Sequence, residues 1–254
     1  MPTRLLNNPK ANVRAYADGQ ELALKAARSF ARLADQYVVG SGRFTVALSG
    51  GSTPKIMLSL LAGDPFRDTV PWSSIYFFWG DERTVPPDHN DSNYRMATEA
   101  LLSRVPVPPE NVFRIPADDP DPEKAAADYE KTISDFFQVK GGQPRFDLIM
   151  LGMGPDGHTA SLFPGTTALK VTDRIVVSNW VEKFKTFRIT LTAPAINAAR
   201  NVMFLAGGAD KAETLKGVLE GPYIPDTYPS QMIRPQDGSL FWMVDEAAAR
   251  LLGT

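Results

Sequence analysis

Apolar residues are grouped along the chain in six short runs that have the length of β-strands. These runs are residues 44–49, 75–80, 146–151, 187–191, 202–206 and 240–244. Several are apolar at consecutive positions, which predicts strands whose two faces are both buried. Such strands are typical of a parallel sheet that is covered by helices. The pattern therefore predicts a mostly parallel sheet flanked by helices.

Helical patterns with recognisable starts lie between these runs. Asp18 followed by Glu21 has the form of a capping box, in which both side chains bond free N–H groups at a helix N-terminus. Asp210 followed by Glu213 repeats this form, and Asp121 precedes a proline that suits a first helical turn. Alternating strands and helices predict an α/β fold with a doubly wound, Rossmann-like sheet. No internal repeat is present, so we expect a single domain over all 254 residues.

Composition excludes several classes of protein. Hydrophobic residues make up 43% of the chain and charged residues 22%, close to the globular average. The net charge is −2 without a run of Lys or Arg, so neither nucleic acid nor a membrane is an expected partner. The lack of cysteine excludes disulfides, thiolate nucleophiles and cysteine-bound metals. No apolar segment has the length of a signal-peptide core or of a membrane span, roughly 18 residues, so the expected location is cytoplasmic.

Ligands of open α/β sheets bind beyond the C-terminal ends of the strands, so the residues at those ends are candidates for function. Gly50, Gly51, Ser52 and Thr53 follow the first of the strands above. Glycine lets backbone N–H groups approach a ligand, the two hydroxyls can reach an anion, and the following helix presents its N-terminus. A phosphate site explains this segment. An ordinary tight turn also explains it, with Ser52 or Thr53 capping a helix that starts at Pro54.

Asp81, Glu82 and Arg83 follow the strand at 75–80. Charged side chains at the tip of an apolar strand are costly to bury unless they face a polar cavity or one another. A solvated turn with a surface ion pair is the alternative. The position at a strand end favours a functional role.

The strand at 146–151 leads into a glycine-rich elbow that presents Asp156 and His158. Its glycines match the dinucleotide pattern G-x-G-x-x-G, but Pro164 follows too soon for the crossover helix that this pattern requires. The chain contains two histidines, His89 and His158, and only His158 follows a buried strand. His158 is therefore the better candidate for acid–base chemistry near neutral pH.

Lys211 follows Gly207 and Gly208 at another strand end and is expected in the first turn of a helix. A cation is unfavourable there unless an anion is bound nearby. Arg188, on a further strand, either supplies a second positive charge or faces solvent. Two glycine-rich strand ends and one histidine elbow together indicate a small phosphorylated substrate. The chain has no HExxH motif or EF-hand loop, so no standard metal site is expected, and the G-x-S-x-G elbow of serine hydrolases is absent as well.

Three proline-rich segments have the composition of surface connections. They are residues 105–109, 116–122 and 221–235. The last is longer than ordinary loops, and we expect it to lie over the site.

Several segments together resemble the 6-phosphogluconolactonase family. They are LSGGSTPK, FWGDERTVPPDHNDSNYRM, FDLIMLGMGPDGHTASLFPG, FRITLT, AGGADKAE and YPSQMIRP, and they cover residues 49–235 in order. GxGxDGHxASLFPG is the specific part of this resemblance, whereas SGGSTP is shared more widely. Amino-sugar-phosphate isomerase/deaminases are similar in fold, but they carry a glutamate where this chain has Phe163 and a tyrosine where it has Arg83. Both departures favour the lactonase.

The resemblance implies hydrolysis of 6-phospho-D-glucono-1,5-lactone to 6-phospho-D-gluconate, in the oxidative pentose phosphate pathway, without metal or coenzyme. It implies that His158 is the catalytic base and that Arg83 lies near the lactone or the phosphate. The residues expected to hold the phosphate are Gly50, Gly51, Ser52, Thr53, Arg188 and Lys211. Either Asp156 or Asp81 would orient the imidazole, and the sequence does not choose between them.

Two other functions stay open at the level of sequence, beside dinucleotide binding, which rests only on the weak glycine match. One is that of an amino-sugar-phosphate isomerase/deaminase, which would release ammonia. The other is that of a non-enzymatic sugar-phosphate sensor. Such sensors usually carry a DNA-binding helical module, and no helix-turn-helix with a basic recognition helix is evident.

Overall fold

The computed structural model describes residue 2, residues 4–6 and residues 12–253 of the chain. The strands in this part are β1 (Arg4–Leu6), β2 (Asn12–Tyr16), β3 (Phe44–Leu48), β4 (Ile75–Trp79), β5 (Asp81–Arg83), β6 (Leu148–Gly152), β7 (Val176–Val181), β8 (Thr186–Leu191), β9 (Asn201–Ala206) and β10 (Ser239–Asp245). The α-helices are α1 (Gly19–Ser41), α2 (Ser52–Leu61), α3 (Phe66–Thr69), α4 (Asn93–Ala97), α5 (Pro122–Phe137), α6 (Ala193–Asn197), α7 (Ala212–Glu220) and α8 (Glu246–Ala249). Short 3₁₀ turns are Trp72–Ser74, Pro109–Asn111, Thr167–Lys170, Glu182–Phe184, Ala209–Lys211 and Pro229–Met232, and a π-helical turn, Thr98–Leu102, follows α4. None of the helices in the described ranges is long and apolar enough to cross a bilayer.

Seven strands form the main sheet, in the order β1-β2-β10-β9-β6-β3-β4. β1 is antiparallel to β2, and every other neighbouring pair is parallel. Parallel neighbours need long crossover connections, which the helices supply. The prediction of a mostly parallel, doubly wound sheet flanked by helices is therefore confirmed.

The predicted strand at 187–191 lies outside the main sheet, which the sequence pattern did not anticipate. It belongs to β8, which is antiparallel to both β5 and β7 in a separate three-stranded sheet. The turn Glu182–Phe184 and Lys185, with a left-handed φ of 51°, join β7 to β8. So tight a connection produces an antiparallel pair, because a parallel pair needs about a dozen residues or more.

Buried apolar side chains form one continuous cluster around the main sheet. Every residue of β3 and of β9 is buried, as consecutive apolar positions predict. Phe204 of β9 and Trp242 of β10 stack with their ring centroids 3.8 Å apart. The continuity of this core supports our proposal that the chain is a single domain.

Two of the three predicted helix starts are confirmed. Asp18 caps α1 and Asp121 caps α5, each by accepting hydrogen bonds from backbone N–H groups. The capping box at Asp210 is wrong, because a 3₁₀ turn, Ala209–Lys211, comes first and α7 begins after it without a side-chain cap. This turn is fixed from elsewhere in the fold. Asp245, at the end of β10, accepts a hydrogen bond from the backbone N–H of Gly208, the residue before this turn.

The alternative in which Ser52 or Thr53 caps a helix that starts at Pro54 is also wrong. α2 begins at Ser52, with Gly51 at the N-cap position and no side-chain cap. Gly51 has a φ of 107°, which side chains rarely allow. The helix therefore starts before Pro54, and the hydroxyls of Ser52 and Thr53 are not used to cap it.

Candidate active site

The C-terminal ends of the parallel strands surround a cleft of about 200 Å³. All four segments singled out in the sequence contribute to it. The cleft is lined by Ser49, Gly50, Gly51, Ser52, Thr53, Pro54, Asp81, Arg83, Asn93, Gly152, Met153, Gly154, His158, Ala160, Leu205 and Lys211. Two of the predicted site residues, Asp156 and Arg188, are outside this lining. Each lies against a residue that is in it.

The loop before α2 presents backbone and hydroxyl groups to the cleft. The hydroxyls of Ser52 and Thr53 have no hydrogen-bond partner among the described residues, so both are available to a ligand. A Cβ atom at Gly50 would lie 2.0 Å from Oδ1 of Asn93, so any side chain there would displace Asn93. The helix N-terminus behind these residues adds a dipole that favours an anion.

The acidic pair after β4 is buried, so the alternative of a solvated surface turn is wrong. Asp81 accepts a hydrogen bond of 2.7 Å from Oγ of Ser161. Glu82 accepts from Oγ of Ser92 and from three backbone N–H groups, those of Arg83, Asn93 and Tyr94. Burial raises the pKa of Glu82, although these N–H groups oppose the shift. Glu82 thereby fixes the start of α4.

Asn93 is a cleft residue that sequence reasoning missed. Its Nδ2 donates to the backbone oxygen of Asp81 over 2.9 Å, and its Oδ1 lies against Gly50. Asn93 thus joins the two loops that form this wall of the cleft. The only hint in the sequence was a Ser-Asn pair in a helix-capping position.

Arg83 and Arg188 occupy directly opposed positions on β5 and β8. Like charges in such a pair repel each other. Burial lowers the pKa of Arg188, and the charge of Arg83 lowers it further. Nη1 of Arg83 donates to the backbone oxygen of Asp91, while the guanidinium of Arg188 lies over the ring of Phe184. Neither arginine forms an ion pair among the described residues, although Asp81, Glu82 and Asp91 act on Arg188 from further away. This arrangement favours a bound anion.

His158 is held at the wall of the cleft by Asp156. Nδ1 of His158 lies 2.5 Å from Oδ1 of Asp156, and the imidazole stacks on Phe163 with a centroid distance of 4.1 Å. Nε2 has no partner among the described residues and is the ring atom open to water or substrate. Because Asp81 bonds Ser161 instead, the geometry assigns the contact with the imidazole to Asp156.

Asp156 is itself held by a second group, Lys183, which sequence reasoning did not find. Nζ of Lys183 lies 3.2 Å from Oδ2 of Asp156. The hydrogen bond from His158 lowers the pKa of Asp156 far below its usual range, burial opposes this shift, and Lys183 adds to it. Lys183 lies 27 residues further along the chain, in the β7–β8 turn, so no local pattern linked it to the elbow.

Tyr228 and Ser230 contact the glycine-rich elbow, residues 152–158, at Gly157. Gly157 has a φ of 79° and is packed by Tyr228, and its oxygen accepts from both N and Oγ of Ser230. At Gly154 a Cβ atom would lie 2.1 Å from the ring of His158. The segment 221–235 therefore packs behind the elbow. The expectation that it lies over the site is wrong, since none of its residues lines the cleft.

Lys211 reaches the cleft from the 3₁₀ turn before α7. Its position is the N-cap of α7 instead of the predicted first turn. Nζ donates to the backbone oxygen of Gly207 over 2.8 Å and has no carboxylate partner among the described residues. His89, by contrast, is exposed beside Asp91 and does not line the cleft. In the described part of the chain, no group of three or more His, Cys, Asp or Glu side chains could hold a metal ion.

Residues 17–242 match the family described as Glucosamine-6-phosphate isomerases/6-phosphogluconolactonase. The chain belongs to this family. Among curated members, a 6-phosphogluconolactonase of Synechocystis sp. is 47% identical over 83% of this chain and 85% of its own length. A 6-phosphogluconolactonase of Nostoc sp. is 46% identical over 84% of this chain and 87% of its own length.

Solved structures of the family have the same fold. The 6-phosphogluconolactonase of Trypanosoma brucei superimposes with a TM-score of 0.86 at 32% identity, over 96% of this chain and 99% of that one. A monomeric glucosamine-6-phosphate deaminase gives a TM-score of 0.79 at 21% identity, over 94% of this chain and 99% of that one. The second comparison shows a shared fold alone.

Proposed function

We propose that this chain hydrolyses 6-phospho-D-glucono-1,5-lactone to 6-phospho-D-gluconate, a step of the oxidative pentose phosphate pathway, with His158 as the general base. The observation that carries the proposal is the pairing of His158 with Asp156 at a cleft whose walls hold cations. The lactonase relatives at 46–47% identity support this choice of substrate. Another relative, at 36% identity, is a chloroplastic 6-phosphogluconolactonase, and the cytoplasmic location expected from the sequence stays a prediction.

Asp156 prepares the imidazole for proton transfer. A carboxylate beside Nδ1 favours the tautomer with its proton on Nδ1, so Nε2 carries a free lone pair. Nε2 takes a proton from a water molecule as its oxygen bonds to the lactone carbonyl carbon. The imidazolium then returns that proton to the ring oxygen as the bond between carbon and ring oxygen breaks. The negative charge of Asp156 stabilises the imidazolium between the two steps.

The substrate phosphate is bound by groups that need a negative partner. Arg188 and Lys211 carry positive charges and form no ion pair among the described residues, and the hydroxyls of Ser52 and Thr53 are free. Binding the phosphate there positions the lactone carbon near His158. The developing oxyanion meets either Arg83 or backbone N–H groups of the elbow.

Phe163 distinguishes the lactonase from the related deaminase. By resemblance it stands where the deaminases carry a glutamate of their ring-opening machinery, and here its ring stacks on His158. A phenyl ring cannot transfer a proton. Lactone hydrolysis needs no proton-transferring side chain at this position, because water and His158 exchange the proton between them.

The test is proton release from freshly prepared 6-phosphogluconolactone in weak buffer, corrected for spontaneous hydrolysis. We expect rapid release with the protein and no ammonia from glucosamine 6-phosphate. A rate equal to the spontaneous one would refute lactonase activity. Ammonia release from the amino sugar would identify a deaminase instead.

A further inference from the structure

A second charged concavity, which we call the basic groove, lies at the opposite end of the main sheet. It has a volume of about 380 Å³, and the cations that line it are Arg43, Lys140, Arg145 and Arg200. Three of them precede strands: Arg43 comes before β3, Arg145 before β6 and Arg200 before β9. These strands are neighbours, with β6 in the middle. Because parallel strands begin at one edge, the fold gathers the three arginines there, away from the catalytic cleft.

The positive charges of the basic groove exceed its negative charges. Asp147 is the one carboxylate among the described residues that line it. That carboxylate is occupied, because Oδ2 accepts from N and Oγ1 of Thr45 and Oδ1 lies 3.3 Å from Nε of Arg200. Four cations facing one occupied carboxylate leave an excess of three positive charges, in a chain whose net charge is −2.

Each arginine is held by one contact that leaves most of its donors free. The guanidinium of Arg43 lies 5.0 Å from the centroid of Phe136. Nη2 of Arg145 donates to the backbone oxygen of Asp237, and Arg200 contacts Asp147 through Nε. A guanidinium has five N–H donors, so four or five of each remain for a ligand. The planar fork of a guanidinium suits the paired oxygens of phosphate groups.

We propose that the basic groove binds a small molecule that carries two or more phosphate groups. Its volume is within the range of about 300–1,000 Å³ that is usual for small-molecule sites. An excess of three positive charges matches a ligand with several negative charges better than a single phosphate. The proposal is independent of the lactonase reaction, because no residue of the basic groove lines the cleft.

The test uses inorganic tripolyphosphate and ATP as probes in isothermal titration calorimetry at low salt. The groove variant, Arg43→Gln/Arg145→Gln, should bind both probes at least about tenfold more weakly and keep its lactonase activity. The control variant, Arg28→Gln/Arg32→Gln, removes two exposed arginines of α1 outside the groove and should bind as the wild type does. Lys211→Ala, which weakens anion binding in the cleft, should leave the groove's affinity unchanged.

Three results would overturn the proposal. One is unchanged affinity in the groove variant, and another is complete loss of binding in Lys211→Ala, which would place all binding in the cleft. The third is binding of an acidic peptide or of DNA through these arginines without binding of either probe. If the groove variant unfolds, Arg43→Lys/Arg145→Lys keeps both charges and should retain binding, weakened by the loss of the guanidinium forks.

Discussion

Nζ of Lys183 lies 3.2 Å from Oδ2 of Asp156, and the other oxygen of this carboxylate holds the imidazole of His158. Asp156 belongs to the elbow after β6 in the main sheet, whereas Lys183 belongs to the turn between β7 and β8 in the small sheet. Lys183, Asp156 and His158 therefore form a charged contact between the small sheet and the elbow of the main sheet. The orientation of the imidazole depends on both.

Replacing Lys183 by methionine should change the pH profile more than substrate binding. The protonated imidazole would no longer meet the nearby positive charge, so it would form more readily. We expect the acid limb of kcat/KM to move to higher pH and kcat to fall several-fold, with KM little changed. Steady-state kinetics from pH 5 to 9 would measure this.

Lys185→Met is the matched control, because Lys185 lies in the same turn but pairs with Glu182. Its pH profile should follow that of the wild type. An unmoved acid limb in Lys183→Met would limit Lys183 to a structural role.

Removing the imidazole should abolish most of the catalysis without removing binding. We expect His158→Ala to lower kcat by roughly 10²–10⁴-fold, since general acid–base catalysis contributes about that much. The acid limb of kcat/KM should also disappear, and a product analogue should bind with almost unchanged affinity. His89→Ala is the control, because His89 is exposed outside the cleft. Near-normal kcat without His158 would rule out the mechanism.

Loss of a phosphate contact should appear in KM. Each of Arg188→Ala and Lys211→Ala removes a charged contact worth on the order of 1.5–3 kcal/mol, which is present in both ground and transition states. KM for the phosphorylated lactone should therefore rise by about ten- to a hundredfold, with a smaller change in kcat. Lys216→Ala, on α7 and paired with Glu220, should have no such effect. Unchanged kinetics in both cleft variants would place the phosphate elsewhere.

Asp156 should also contribute to stability in a pH-dependent way. Its folded-state pKa lies below the usual value of about 3.9, so its contribution is present above that pH and is lost as pH falls further. Because the side chain is 29% exposed, we expect Asp156→Asn to lower the free energy of unfolding by only about 1 kcal/mol at pH 7. Urea unfolding should give the same loss at pH 5 and a smaller one at pH 3. In Asp91→Asn, where the carboxylate is 71% exposed beside His89, the loss should be smaller still. A loss that does not change down to pH 3 would contradict this account.

The sequence predicted those parts of the molecule that local patterns encode. Runs of consecutive apolar residues identified the buried strands, and Asp18 and Asp121 identified two helix starts. The contacts of Lys183 and Asn93 join segments that are distant in the chain, so no local pattern contained them. The failed prediction at Asp210 has the same origin, because a distant carboxylate, Asp245, fixes the turn that a local cap was expected to form.

The buried carboxylate of Glu82 limits how this part of the sequence can change over time. All four groups that bond its oxygens are donors, three of them in the backbone. Glutamine would turn an NH₂ group toward some of these donors, and aspartate is one methylene shorter. A second substitution at a neighbouring position cannot compensate for either change, because the backbone N–H groups stay the same. We therefore expect descendants of this chain to keep glutamate at this position for as long as they keep α4 and Asn93 against the cleft.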